Sequence, residues 1–265
     1  MALGHSVELP DQHVACTLQV ALQRDLGGGD HAASLSRWRN PVTWVPDDGL
    51  VDGIERVREL AVGADEGASP WWYEQLYAEA RVGASRVPWD HGEPTPYLVA
   101  WLRERFPSGR GSGRAVVVGC AYGDDAELVA SYGFAVTAFD ISASAVETAR
   151  SRHPASAVDY RQADLLGLPE DWRGAFDLVV ECTTLQSTPV ALHERGAVSV
   201  ASLCAVDGKI LVIARCPADG DPPGPPWLLS EREVWQVAAG GVRLSSLQRI
   251  SMRGGDRWVG EFVCA

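Results

Sequence analysis

At 265 residues, 46% hydrophobic and 22% charged, the chain suits one sizeable α/β domain with an extension, and its composition excludes a disordered or fibrous polymer. A formal net charge of -12 without any Lys/Arg cluster disfavours nucleic-acid and anionic-membrane partners. The start, MALGHSVELPDQHV, lacks a basic segment followed by an apolar run, and no later apolar stretch approaches the roughly 20 residues of a bilayer span, so neither export nor membrane insertion is expected.

Residues 1–70 differ in texture from the rest, with turn clusters at 27–30 and 46–49, and read as an N-terminal helical extension or lid on a domain spanning 71–265. Within the extension, Leu50, Ile54, Val57 and Ala61 recur at helical spacing, predicting a helix over 50–61. From residue 114 onward, short apolar runs alternate with helical patterns, which is the signature of a parallel sheet with crossover helices. A strand over 115–118 ends in Gly119, and a helix over 124–131 is closed by Gly133. The second strand is 134–139. Ser142 can cap the next helix, which runs to about 153, with Ser144 and Glu147 as an alternative capping box. Strands over 158–161 and 176–180, a helix over 189–204 and a wholly buried strand over 209–214 follow. Ser230 can cap one more helix, and strands over 243–250 and 258–263 flank the turn MRGGDR as an antiparallel hairpin. The expected fold is a Rossmann-like seven-stranded, mostly parallel sheet with a terminal antiparallel hairpin and helices on both faces.

The most informative stretch is VVVGCAYG, residues 116–123. A strand that turns through Gly119, Cys120, Ala121 and Gly123 into a helix brings backbone N–H groups and an uncrowded surface to a ligand. Asp140, followed by Ile141, ends the next strand 21 positions after Gly119, close to the spacing at which an acid accepts hydrogen bonds from a ribose. Asp164 and Leu165, after the third strand, can present a carboxylate and an N–H to an adenine edge. All of these fall at the carboxyl ends of successive strands, where open α/β sheets bind ligands. A nicotinamide dinucleotide fits less well, because its GxGxxG register would put Asp124 at the third glycine and Ala121 at the second. A nucleoside without phosphates fits better.

These residues resemble a class I S-adenosylmethionine-dependent methyltransferase, with VVVGCAYG as its glycine-rich motif, Asp140 as its ribose acid and residues 163–165 as its adenine-side segment. Upstream, WWYEQLYAEARVGASRVPWDHGEPTPYLVAWL, residues 71–102, is similar to the entry segment of the thiopurine, thiol and halide methyltransferase group. The resemblance implies that Trp89, Asp90, Gly92 and Pro94 fold over S-adenosyl-L-methionine, and that the acceptor is a small molecule taking the methyl group at sulfur or nitrogen. Together with a GC-rich coding signature, 22 arginines to the single lysine Lys209, it points to bacterial specialised metabolism.

Glu181, at the end of the fourth strand, is the first candidate for a polar contact near the transferring methyl group or the cofactor, and His91, with His193 behind it, for a general base. Thr183, Thr184 and Gln186 are expected to line the acceptor pocket, joined by Trp72, Tyr77 and Trp227. The remaining readings are an NAD(P)-dependent oxidoreductase and a cofactor-binding protein without turnover. Six cysteines (16, 120, 182, 204, 216 and 264) form no CxxC pair and lie at no zinc-finger spacing, so no metal is expected. They read as free buried thiols of a reducing, cytoplasmic compartment.

Overall fold

The computed structural model describes residues 49–62, 71–238, 241–252 and 255–265. The expected seven-stranded sheet is present, with strand order β3-β2-β1-β4-β5-β7-β6. Its strands are β1 Arg114–Val118, β2 Ala135–Asp140, β3 Asp159–Gln162, β4 Phe176–Cys182, β5 Cys204–Arg215, β6 Val242–Met252 and β7 Gly255–Cys264. The first five are mutually parallel, and β7 inserts antiparallel between β5 and β6.

Helices cover both faces because the central strands are apolar on both sides. Ala115 and Val117 of β1 join one core with Leu98, Trp101 and Leu102 of α3 (Pro96–Arg105), Leu128 and Val129 of α4 (Asp124–Ser131), and Val146 and Ala149 of α5 (Ala143–Arg152). The alternating residues Val116 and Val118 join a second core with Val200 and Leu203 of α6 (His193–Leu203) and Val234 of α7 (Glu231–Trp235). This is the period of two expected of strands buried on both faces. A third cluster unites Val57 of α1 (Gly49–Ala61) with Trp72, Tyr73, Leu76 and Tyr77 of α2 (Trp72–Arg81) and with Tyr122 and Ala145. Here α1 and α2 cap the sheet where the candidate site lies.

Local signals behave as their chemistry dictates. Ser142 caps α5 by accepting the Ala145 N–H at 3.0 Å, whereas Glu147 pairs with Arg81 and makes no capping box. Ser230 and Glu233 form a reciprocal capping box on α7. The helix expected over 189–204 is shorter, because a 3-10 turn over Val190–Leu192 precedes it and β5 begins directly at Cys204.

Two cysteines depart from the reading as free thiols. Cys204, opening β5, and Cys264, closing β7, are joined as a disulfide across Cα atoms 6.4 Å apart, while Cys120, Cys182 and Cys216 are free. The inference from free thiols to a reducing compartment therefore loses part of its basis. Cys16 and the turn cluster at 27–30 lie outside the described residues, as do residues 46–48 of the second cluster. Among the described residues, no helix is long and apolar enough to cross a membrane.

Candidate functional site

The strand order reverses beside β1, which has β2 on one side and β4 on the other, and a cavity of about 450 Å³ opens above their carboxyl ends. This is the topological switch point at which such sheets bind ligands. Beyond Val118 the chain turns through Gly119, with φ of 59°, and the Cys120 N–H donates to the Phe139 carbonyl of β2 at 2.8 Å. A Cβ at Gly119 would stand 2.2 Å from Thr184 Oγ1, and one at Gly123 2.3 Å from the Tyr160 hydroxyl. Thr184 Oγ1 in turn donates to the Val118 carbonyl at 2.9 Å, locking the loop after β4 against the end of β1. Only glycine fits these two positions. Ala121 and Thr183, both lining the cavity, also hold left-handed backbones, with φ of 46° and 62°. For a β-branched residue such a conformation costs roughly 1–3 kcal/mol, and strain of this kind concentrates at functional sites.

Asp140 faces this loop from the end of β2. One carboxylate oxygen accepts the Ala121 N–H and the other the Ser142 N–H, each at 2.9 Å. Burial, with a smaller contribution from the charge of Glu74, outweighs these bonds and pushes its pKa up to about 6. Glu74 of α2 accepts the hydroxyls of Ser142 and Ser144 and the Ser144 N–H, at 2.6–3.1 Å, and so clamps α2 to the start of α5. Asp164 accepts the Leu166 N–H at 2.8 Å, opening the 3-10 turn Leu165–Gly167, and lines the cavity with Leu165 and Ile141.

Aromatic rings cover the opening. Trp89 donates its indole N–H to the Tyr77 hydroxyl at 2.8 Å and meets Tyr73 and Tyr77 edge-on. The Tyr73 hydroxyl donates to the Ser187 carbonyl at 3.0 Å, bridging α2 to the loop after β4. Burial raises the pKa of both tyrosines, which keeps them as neutral hydroxyls. Ile54 and Val57 of α1 complete this wall.

A methyltransferase-domain family model matches residues 115–208, the stretch from β1 into β5. A probable thiol methyltransferase 2 of Arabidopsis thaliana is 32% identical over 159 residues, which cover 58% of this chain and 67% of that protein. The chain belongs to the class I S-adenosylmethionine-dependent methyltransferases. A thiocyanate methyltransferase 1 of Brassica oleracea is 30% identical over 53% of this chain and 62% of its own length. The solved structure of the N-methyltransferase NodS of Bradyrhizobium japonicum WM9, in complex with S-adenosyl-L-homocysteine, superposes with a TM-score of 0.56 at 17% identity, covering 72% of this chain and 98% of that one. S-adenosylmethionine is accordingly the cofactor, and the dinucleotide oxidoreductase is set aside.

The methyltransferase brings most of the residues singled out in its sequence to one cavity: Trp89, His91, Gly119, Cys120, Ala121, Gly123, Asp140, Ile141, Asp164 and Leu165, with Tyr77, Thr183, Thr184 and Gln186 beside them. Glu181 is a correction. It is fully buried outside the cavity wall, where one oxygen accepts the Thr184 and Leu185 N–H groups at 2.6 and 2.9 Å, so it caps the turn after β4, and burial pushes its pKa up to about 7. Trp72 is likewise fully buried, stacked on Tyr73 and away from the cavity. Trp227 gives its backbone N–H to the Gln186 carbonyl at 2.7 Å, while Pro225 and Pro226 of the same loop take the wall position. His193 is buried between Glu233, 2.8 Å away, and the Thr188 carbonyl, 2.9 Å away, and serves packing.

Several wall residues carried no local signal. Asp125 accepts both the N–H and the hydroxyl of Thr95, at 2.6 and 2.9 Å, tying α4 to the start of α3. Cys182, Tyr97, Arg215 and Arg257 join the wall from β4, α3, β5 and β7. The clamp at Glu74 could have been suspected only from an acid in an otherwise aromatic helical turn.

Proposed function

We propose that this enzyme methylates a small molecule at sulfur or nitrogen, with the cofactor over the ends of β1 to β3 and the acceptor beside the ends of β4 and β5. The cavity's residues fit the cofactor: Gly119 and Gly123 let the loop after β1 turn tightly against Thr184 and Tyr160, and the Asp140 carboxylate keeps acceptor capacity for ribose hydroxyls beside the Ala121 and Ser142 N–H groups it already accepts. Ile141, Asp164 and Leu165 would flank the adenine, and Cys120 and Ala121 the ribose side. When bound, S-adenosylmethionine supplies an electrophilic methyl group on a sulfonium. The chain's own residues align the partners and exclude water, with Tyr73, Tyr77 and Trp89 offering aromatic surface to a positive charge. Ile54 and Val57 support reading the region before residue 71 as a lid on the domain that follows.

One observation carries the choice of acceptor atom. Among the described residues, the two histidine–carboxylate pairs, His193–Glu233 and His153–Asp124, keep their imidazoles out of the cavity wall, so His91 alone lines it. One imidazole is ample for a thiol, which with an unperturbed pKa of about 8.5 ionises with little help. The names of the thiol and thiocyanate methyltransferases support the same reading. The test is release of S-adenosylhomocysteine from the purified chain with matched thiols, amines and alcohols. Transfer to thiols or amines is expected, with S-adenosylhomocysteine but not NAD raising the melting temperature. Preference for alcohols, or stabilisation by NAD alone, would refute it.

A further inference from the structure

Among the described residues lining the cavity, the only lysine or arginine side chains are Arg215 and Arg257. They stand directly opposite each other, Arg215 at the end of β5 and Arg257 near the start of β7. Like charges opposed across two strands repel. Burial, and after it the charge of Arg215, lowers the pKa of Arg257.

Nearby acids offset this charge in part. Asp221 pairs with Arg215 at 2.8 Å, while Asp256 is held by Arg249 and Ser251 at 2.6 and 2.7 Å. Arg257 lies over the Tyr97 ring, 5.7 Å from its centroid, and donates to the Asp256 carbonyl at 3.1 Å. Beside the pair, buried Gln186 turns its Oε1 to the Arg215 N–H at 2.7 Å, which leaves the amide NH₂ as the end that can serve a ligand. Asp140 and Asp164 lie at the ends of other strands, and Asp125 is engaged by Thr95. This part of the wall presents hydrogen-bond donors to an anion.

We infer that Arg215, Arg257 and the Gln186 amide form a recognition site for a carboxylate on the methyl acceptor, making the preferred substrate a small organic acid that also carries the nucleophilic thiol or amine. A guanidinium fork matches a planar carboxylate. The inference rests on the small-molecule methyltransferase reading above.

The test uses the full chain with acid and methyl-ester partners of one nucleophile, such as 3-mercaptopropionate and its ester. Wild-type enzyme should turn over the acid with a kcat/KM about 10- to 100-fold above the ester, the range for losing a hydrogen bond to a charged group. In Arg257→Met and Arg215→Gln the preference should collapse through a KM for the acid that rises far more than the KM for the ester, with S-adenosylhomocysteine affinity unchanged. Arg257→Lys should recover part of it. A binding arm needs no turnover: with S-adenosylhomocysteine saturating, the acid should raise the melting temperature of wild type more than the ester does, and not that of Arg257→Met. Equal use of acid and ester by wild type, an equal loss for both in Arg257→Met, or no acid-selective shift would overturn the inference. Failure to methylate either member, with the acid-selective shift intact, would instead sink the methyltransferase reading of the acceptor pocket while leaving the anion site standing.

Discussion

Replacing Asp140 by asparagine removes one charge while keeping the shape of the side chain. Burial raises its carboxyl from 3.8 to about 6. A shift of about two units corresponds to roughly 3 kcal/mol. Because the folded value lies above the unfolded one, this stabilising contribution is complete below pH 4 and is lost as the pH rises through 6. Ribose hydroxyls donating to the carboxylate favour its ionised form, so the sign for binding is opposite. Affinity for S-adenosylhomocysteine should be highest above pH 6 and should weaken by up to tenfold per unit as the pH falls below it. In Asp140→Asn that dependence should vanish, and affinity at pH 8 should drop by about 1.5–3 kcal/mol, roughly 10- to 150-fold. Stability should change little at pH 8. One of the Ala121 and Ser142 N–H groups loses its acceptor, at about 1–3 kcal/mol, while relief of the buried charge returns a similar amount. Calorimetric titration with S-adenosylhomocysteine from pH 5.5 to 8.5 reads both effects. An unchanged affinity in the folded variant, or the same pH slope in variant and wild type, would refute the assignment of Asp140 to the ribose.

Glu181 offers a contrasting case, since its carboxyl is raised from 4.5 to about 7 by burial yet lies outside the cavity wall. Its contribution to stability is present below pH 4.5 and lost as the pH rises through 7, so Glu181→Gln should flatten the decline in melting temperature between pH 5 and 8 while leaving S-adenosylhomocysteine affinity intact. A folded variant that no longer binds the cofactor product would show that Glu181 reaches the ligand. Trp89→Ala removes the indole that donates to Tyr77 and should lower both cofactor affinity and turnover with only a modest loss of melting temperature. Wild-type binding and turnover in that variant would reduce Trp89 to packing.

What the amino-acid sequence determined by itself is local. The order of strands from residue 114 onward, the bare turn at Gly119 and Gly123, the cap at Ser142 and the placement of Asp140 at a strand end follow from patterns within about 20 residues and are found there, whereas the helices Trp72–Arg81 and Pro96–Arg105 were not foreseen. Tertiary structure alone decided which way individual side chains face. Successive residues of a strand point to opposite faces, so Cys182 lines the cavity while its neighbour Glu181 turns into protein interior. The Arg215–Arg257 pair exists because β7 inserts beside β5 in one register, and the Cys204–Cys264 disulfide joins residues 60 positions apart. Such contacts depend on how the whole sheet is assembled, and no short stretch of sequence contains that information.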